Sequence, residues 1–112
     1  MSISTHVLDT ARGCPAQGLP ITLWREDGDE QIELGTGVTN HDGRIAGFIP
    51  EGTALPEGTY RIRFDTGAYF DSQGIDGFYP EVVVRFIIRK ADEHYHVPLL
   101  ISPFGFSTYR GS

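Results

Sequence analysis

The carboxyl-terminal part of the sequence carries the side chains with the clearest chemical potential. His96 supplies an imidazole, and the closing tetrapeptide Tyr109-Arg110-Gly111-Ser112 adds a phenol, a guanidinium and a hydroxyl. Imidazole has an unperturbed pKa of about 6.5, so it can activate water near neutral pH. A guanidinium can stabilise a developing oxyanion, and a phenol can orient a polar ring by hydrogen bonding. No folding requirement explains this combination. Metal-free hydrolysis of an amide in a small planar heterocycle would need a base, an oxyanion stabiliser and orienting hydrogen bonds of these kinds.

A β-hairpin would bring these groups together. Residues 97–101 are apolar and β-prone, residues 102–105 have turn chemistry, and residues 106–109 resume strand character. A two-residue loop at Pro103 and Phe104 would set four pairs: Ser102 with Gly105, Leu100 with Ser107, Pro98 with Tyr109, and His96 with Gly111. Since side chains alternate along a strand, His96, Ser107 and Tyr109 should share one face. We expect the tail and a carboxylate on Ser112 to lie beside His96.

Two earlier residues are candidates for the same site. Residues 3–9 alternate as a strand that places His6 on the face opposite Val7. The segment Asn40-His41-Asp42-Gly43 predicts a hairpin turn that aims Arg44 from the first position of the next strand. These histidines could also have no functional role, because a lone histidine on a strand is more often simply exposed to solvent.

A metal site is the chemical alternative. His94 and His96 are two residues apart on a strand, so both face one side, and His6 could complete a three-histidine zinc site. The spacing alone is a weak signal, and Arg44 and Arg110 would repel a cation. We therefore predict a site without metal.

The whole pattern predicts an all-β sandwich of eight strands with one short helix. The expected strands cover residues 3–9, 20–26, 30–39, 44–48, 58–64, 82–88, 94–101 and 106–109. Residues 10–19 read as a loop, the glycines at 35 and 37 suggest a bulge or a close backbone approach, and residues 65–74 can form the helix. Fourteen Gly and seven Pro among 112 residues fit many turns in a single domain, residues 1–112.

Charge and cysteine content exclude several classes of function. A net charge of −6 argues against nucleic acid and anionic membranes as partners. The single Cys14 excludes an intramolecular disulfide, and residues 1–6 lack a signal-peptide pattern, so we expect a cytoplasmic protein.

The chain resembles the transthyretin-like 5-hydroxyisourate hydrolases of purine degradation over essentially its full length. The most specific segments are Ser4-Thr5-His6-Val7-Leu8-Asp9-Thr10-Ala11-Arg12-Gly13, Asp42-Gly43-Arg44, Phe64-Asp65-Thr66-Gly67-Ala68-Tyr69-Phe70, His94-Tyr95-His96-Val97-Pro98-Leu99-Leu100 and the terminal Tyr109-Arg110-Gly111-Ser112. Hormone-carrying transthyretins share the fold but lack this tetrapeptide and the set His6, Arg44 and His96.

The resemblance implies an enzyme that opens the six-membered ring of 5-hydroxyisourate with water, without a cofactor. The product would be 2-oxo-4-hydroxy-4-carboxy-5-ureidoimidazoline. It also implies a homotetramer, a dimer of dimers, whose channel holds the sites. By position, the catalytic residues would be His6, Arg44, His96 and Ser112, and the substrate-binding residues His6, Arg44, Tyr109, Arg110 and Gly111. Which imidazole is the base stays open, as do two other classes, a small-ligand carrier and a purely structural module.

Overall fold

Two four-stranded sheets form the predicted β-sandwich. The computed structural model of the chain describes residues 2–112. Its elements are β1 (Ser2–Asp9), β2 (Cys14–Pro15), β3 (Pro20–Asp27), β4 (Glu30–Val38), β5 (Gly58–Phe64), α1 (Thr66–Asp71), β6 (Val82–Ile88), β7 (His94–Ser102) and β8 (Gly105–Thr108). The strand order is β2-β1-β7-β8 in one sheet, which we call the first sheet, and β4-β3-β5-β6 in the other. Within residues 2–112 there is no helix long and apolar enough to cross a membrane.

The core lies between the sheets because alternate residues of each strand point inward. The buried apolar side chains come from both layers, including Val7, Leu99 and Ile101 from the first sheet and Ile21, Leu23, Ile62 and Phe64 from the second. His6 lies on the face opposite Val7, as predicted, and the face of β1 that carries Val7 is buried, with Ile3, Thr5 and Asp9. The outward face of the first sheet is therefore free to carry polar side chains.

Parallel pairing of β1 with β7 places an early and a late segment of the chain side by side. In this register Ser4 lies opposite His96, and His6 lies opposite Pro98. Residues of even number on both strands share the outward face, so His6, His94 and His96 lie on one surface.

The predicted strand at residues 44–48 is wrong. The turn before it does form, since the Asn40 N–H donates to the carbonyl oxygen of Arg44 over 2.7 Å. Gly47 then adopts a φ of 65°, and Phe48 is buried in the core with its carbonyl against Gly35. A left-handed residue interrupts the extended backbone that strand pairing needs. Residues 44–48 therefore pack against the core instead of joining a sheet. The strand number still reaches eight because Cys14–Pro15, predicted as loop, pairs with β1.

The glycines of β4 behave as predicted. The register between β3 and β4 shifts between Leu23 and Trp24, opposite residues 33–35, and the Gly35 backbone closely approaches Phe48. Both a bulge and a close approach are therefore present.

Helix α1 is tied to the end of β1. Asp65 caps the helix, because its carboxylate accepts a hydrogen bond from the Ala68 N–H over 3.2 Å. Tyr69 is buried, and its hydroxyl donates to Oδ2 of the buried Asp9 over 2.8 Å. Burial and the Asp9 carboxylate raise the pKa of the Tyr69 phenol, which keeps it a donor. The strand that carries His6 is thus anchored at its carboxyl end.

Candidate active site

The hairpin of β7 and β8 has the predicted register. Ser102 pairs with Gly105 and Leu100 with Ser107. Beyond β8 an isolated bridge joins His96 to Gly111, whose N–H donates to the carbonyl oxygen of His96 over 2.9 Å. The tail therefore runs alongside β7 as far as His96.

A backbone hydrogen bond holds the Arg44 turn against the strand of His6. The Val7 N–H donates to the carbonyl oxygen of Gly43 over 2.9 Å. Gly43 has a φ of 74°, and a Cβ there would overlap the carbonyl oxygen of Val7. Only glycine suits such a position. Because Val7 follows His6 and Arg44 follows Gly43, the imidazole and the exposed guanidinium start from adjacent backbone.

His96 is half-buried and electrostatically disfavoured as a cation. Burial lowers the pKa of its imidazole below the ordinary value, and the charges of Arg44, His94 and His6 lower it further, while a hydrogen bond that the ring donates to the backbone of Ser4 raises it. A lowered pKa keeps the ring neutral at pH 7, the form that can accept a proton from water.

Sequence reasoning missed Ser4. Its Oγ lies 2.7 Å from Nδ1 of His96 and 3.0 Å from Nε2 of His94, and the rings of the two histidines are 15° from parallel with centroids 6.4 Å apart. The Ser2 Oγ contacts the remaining nitrogen of His94. The sequence alone places Ser4 on the same face of β1 as His6. Its partner on β7 depends on a parallel pairing that no local signal reveals.

The structure brings His6, Arg44, His96 and Gly111 together, and it places Arg110 elsewhere. The Arg110 guanidinium lies 4.5 Å from the centroid of the Tyr95 ring, and its Nη2 is 4.0 Å from Oε2 of Glu93. Tyr95 is buried, so Arg110 lies on the side of the sheet away from His6. Tyr109 and Ser112 are exposed.

The histidines do not form a three-residue metal site. Among residues 2–112 no three His, Cys, Asp or Glu side chains are grouped closely enough to hold a metal ion. His94 and His96 instead use ring nitrogens to bind Ser4.

Comparison with known proteins identifies the family of the chain. The sequence matches the HIUase/Transthyretin family over residues 3–111. It is 49% identical over 110 residues to a 5-hydroxyisourate hydrolase of Salmonella dublin, covering 98% of this chain and 80% of that protein. The solved structure of Klebsiella pneumoniae 5-hydroxyisourate hydrolase superposes with a TM-score of 0.84 at 40% identity, covering 98% of both chains. Sea bream transthyretin in complex with thyroxine superposes with a TM-score of 0.90 at 32% identity, covering 97% of this chain and 93% of that one. The chain therefore belongs to the HIUase/transthyretin family.

Proposed function

We propose that this protein, as one domain of residues 1–112, hydrolyses 5-hydroxyisourate to 2-oxo-4-hydroxy-4-carboxy-5-ureidoimidazoline in urate degradation. The observation that carries the proposal is the convergence of His6, Arg44 and His96 on the outward face of the first sheet. Identity of 49% to a protein named 5-hydroxyisourate hydrolase supports the choice of substrate.

The proposed reaction needs only water and side chains. His96 takes a proton from water, and the water oxygen bonds to a carbonyl carbon of the six-membered ring. The Arg44 guanidinium stabilises the negative charge that forms on the carbonyl oxygen. When the intermediate collapses, the bond from that carbon to the ring nitrogen breaks, the nitrogen keeps the electron pair, and the His96 imidazolium returns its proton to it. A carboxylic acid results, which loses its proton to solvent to give the carboxylate, and no cofactor takes part.

The other site residues would bind and orient the ring. We place His6 beside the substrate and Tyr109, Gly111 and Ser112 along one wall, with Ser112 close enough to assist proton transfer. Substrate binding by Arg110, which the family resemblance implies, stays a prediction. Its guanidinium would have to leave Tyr95 and Glu93 to reach substrate, so we expect it to position the tail.

Ligand carriage without turnover is the second candidate, because the fold superposes on sea bream transthyretin with a TM-score of 0.90. Freshly generated 5-hydroxyisourate mixed with the protein, followed by ultraviolet decay against the spontaneous reaction, separates the two. We expect a decay rate that rises in proportion to protein concentration and survives exhaustive chelation. Saturable binding without acceleration would favour the carrier, and activity lost on chelation and restored by zinc would revive a metal mechanism.

We further propose a homotetramer built from two dimers. Strands β6 and β8 are sheet edges, and near them Val83, Ile87 and Phe106 are 38%, 50% and 44% exposed. Unpaired edges with apolar side chains favour association between copies. Light scattering should give the mass of four chains, and a fully active monomer would refute the assembly.

We place the protein in the cytoplasm, with no nucleic acid or membrane partner. The free Cys14 and the net charge of −6 support this location. Cell fractionation with enzyme assay tests it, and activity confined to a membrane fraction would contradict it.

A further inference from the structure

Ser4 links the two histidines of β7 in one hydrogen-bonded chain. Its Oγ lies 2.7 Å from Nδ1 of the half-buried His96 and 3.0 Å from Nε2 of the exposed His94. The Ser2 Oγ contacts Nδ1 of His94. A hydroxyl carries one hydrogen, so Ser4 can donate to only one of its two histidines and must accept from the other.

The direction of this chain decides which nitrogen of His96 is basic. If Ser4 donates to Nδ1 of His96, the proton of the neutral ring is on Nε2. If Nδ1–H of His96 donates to Ser4, Ser4 can donate to Nε2 of His94, and Nδ1–H of His94 can donate to Ser2. Only the second direction leaves Nε2 of His96 with a free lone pair.

The charges around His96 favour the second direction. Nδ1 is occupied by Ser4, so Nε2 is the nitrogen left for the site. The charged groups that act on the ring are Arg44 from the turn, His6 from β1 and His94 from β7, and the backbone of Ser4 accepts a hydrogen bond from the ring. With Nδ1 bound to Ser4, we infer that the Arg44 charge acts on Nε2, where a cation would stabilise a lone pair and disfavour an N–H.

We propose that Ser4 is a positioning residue that, with His94 as its acceptor, holds His96 in the Nδ1–H tautomer and makes Nε2 the basic nitrogen. The inference rests on the proposed hydrolysis, to which it adds an orienting pair distinct from the proposed catalytic and substrate-binding residues. When Nε2 gains a proton, the Ser4 oxygen still accepts from Nδ1 and steadies the imidazolium. A fixed hydrogen bond on one ring nitrogen is a common means of setting the other.

Kinetics of four variants test the proposed role. Ser4→Ala should lower kcat about tenfold with KM nearly unchanged, because orientation of the base is lost while substrate contacts remain. Ser4→Thr keeps a hydroxyl and should restore most of kcat, while His94→Phe keeps a ring without an acceptor and should behave like Ser4→Ala. Ser102→Ala is the matched control, since it removes a hydroxyl from the same sheet that bonds only Gly105, over 3.3 Å. Unchanged kcat in Ser4→Ala would overturn the proposal.

Nitrogen-15 NMR of histidine-labelled wild-type protein reads the tautomer directly, with the His96 signals assigned from His96→Ala. We expect a protonated Nδ1 and an unprotonated Nε2 on neutral His96, and a mixture of tautomers in Ser4→Ala. A protonated Nε2 in the wild type would overturn the inference, whatever the kinetics. This measurement needs no turnover. If the protein had no hydrolase activity but His96 still carried its proton on Nδ1, the proposed hydrolysis would be wrong and the proposed tautomer would stand.

Discussion

Gly111 lies directly against the imidazole of His96. Its N–H donates to the carbonyl oxygen of His96 over 2.9 Å, and a Cβ on Gly111 would stand 3.2 Å from Cγ of that ring and closer still to Cδ2. The tail thus contacts both the backbone and the ring of the proposed base. This packing makes the side chain at position 111 a direct control on the orientation of His96.

Substitution of Gly111 is the sharpest test of that contact. In Gly111→Ala the new methyl should displace the ring and lower kcat about 10- to 100-fold, with little change in melting temperature, because misplaced catalytic groups are costly. Gly105→Ala is the control, since a Cβ there meets only Ser102 Oγ at an ordinary 3.6 Å. Equal activities of the two variants by steady-state kinetics would show that the Gly111 contact does not control the orientation of His96.

Removal of either site histidine should abolish most turnover. We expect His96→Ala and His6→Ala, made separately, to lower kcat/KM about 100-fold or more without unfolding, as is typical for positioned acid–base groups. His41→Ala should be neutral, because His41 is an exposed turn residue whose ring lies 3.4 Å from the also solvent-facing carboxylate of Asp42. Near-normal rates in both site variants, with normal circular dichroism, would remove the assignment.

The pH profile should report the environment of His96. Its pKa is lowered by burial and by Arg44, so kcat/KM should fall only as the pH drops through a value below about 6.5. In Arg44→Ala the repelling cation is gone, the pKa of His96 rises, and the acidic limb should move to higher pH, alongside a loss of about 100-fold in kcat. Arg89→Ala removes an exposed arginine outside the site and should leave the limb in place. An acidic limb of the kcat/KM profile at the same pH in Arg44→Ala as in the wild type would show that Arg44 does not act on the base.

Deletion of residues 109–112 separates catalysis from folding. These four residues are exposed or half-exposed, so the melting temperature should change little while kcat/KM falls about 100-fold or more. Steady-state kinetics and thermal denaturation of the same preparation measure both effects. Full activity of the truncated chain would show that the site lies elsewhere, and a chain that fails to fold would show a structural role for the tail.

Substitutions of Arg110 and Tyr109 should have different effects, because neighbouring side chains on an extended strand point to opposite faces. Arg110→Ala loses a cation–π contact with Tyr95, which should lower the free energy of unfolding by about 0.5–1 kcal/mol and reduce kcat only slightly. Tyr109→Phe removes a hydroxyl from the face of His96 and should raise KM more than Arg110→Ala does. The reverse order in KM would mean that Arg110 leaves Tyr95 to bind substrate.

Features that depend on local geometry follow from the amino-acid sequence alone. A two-residue loop at Pro103 and Phe104 leaves one register for the strands around it, so counting residues along the hairpin is enough to pair His96 with Gly111. Alternation along β1 places His6 on the face opposite Val7, and residues 65–74 predict the one short helix.

Features that depend on contacts between distant segments are set by tertiary packing. Residues 44–48 have a strand-like composition, yet Phe48 is buried in the core with its carbonyl close to Gly35, and a left-handed Gly47 ends the extended backbone. The Val7–Gly43 hydrogen bond that aims Arg44, and the parallel register that puts Ser4 beside His96, join residues far apart in the chain. A parallel pair needs a long crossover whose length does not set the register, so only the packing of the whole sandwich could select these neighbours.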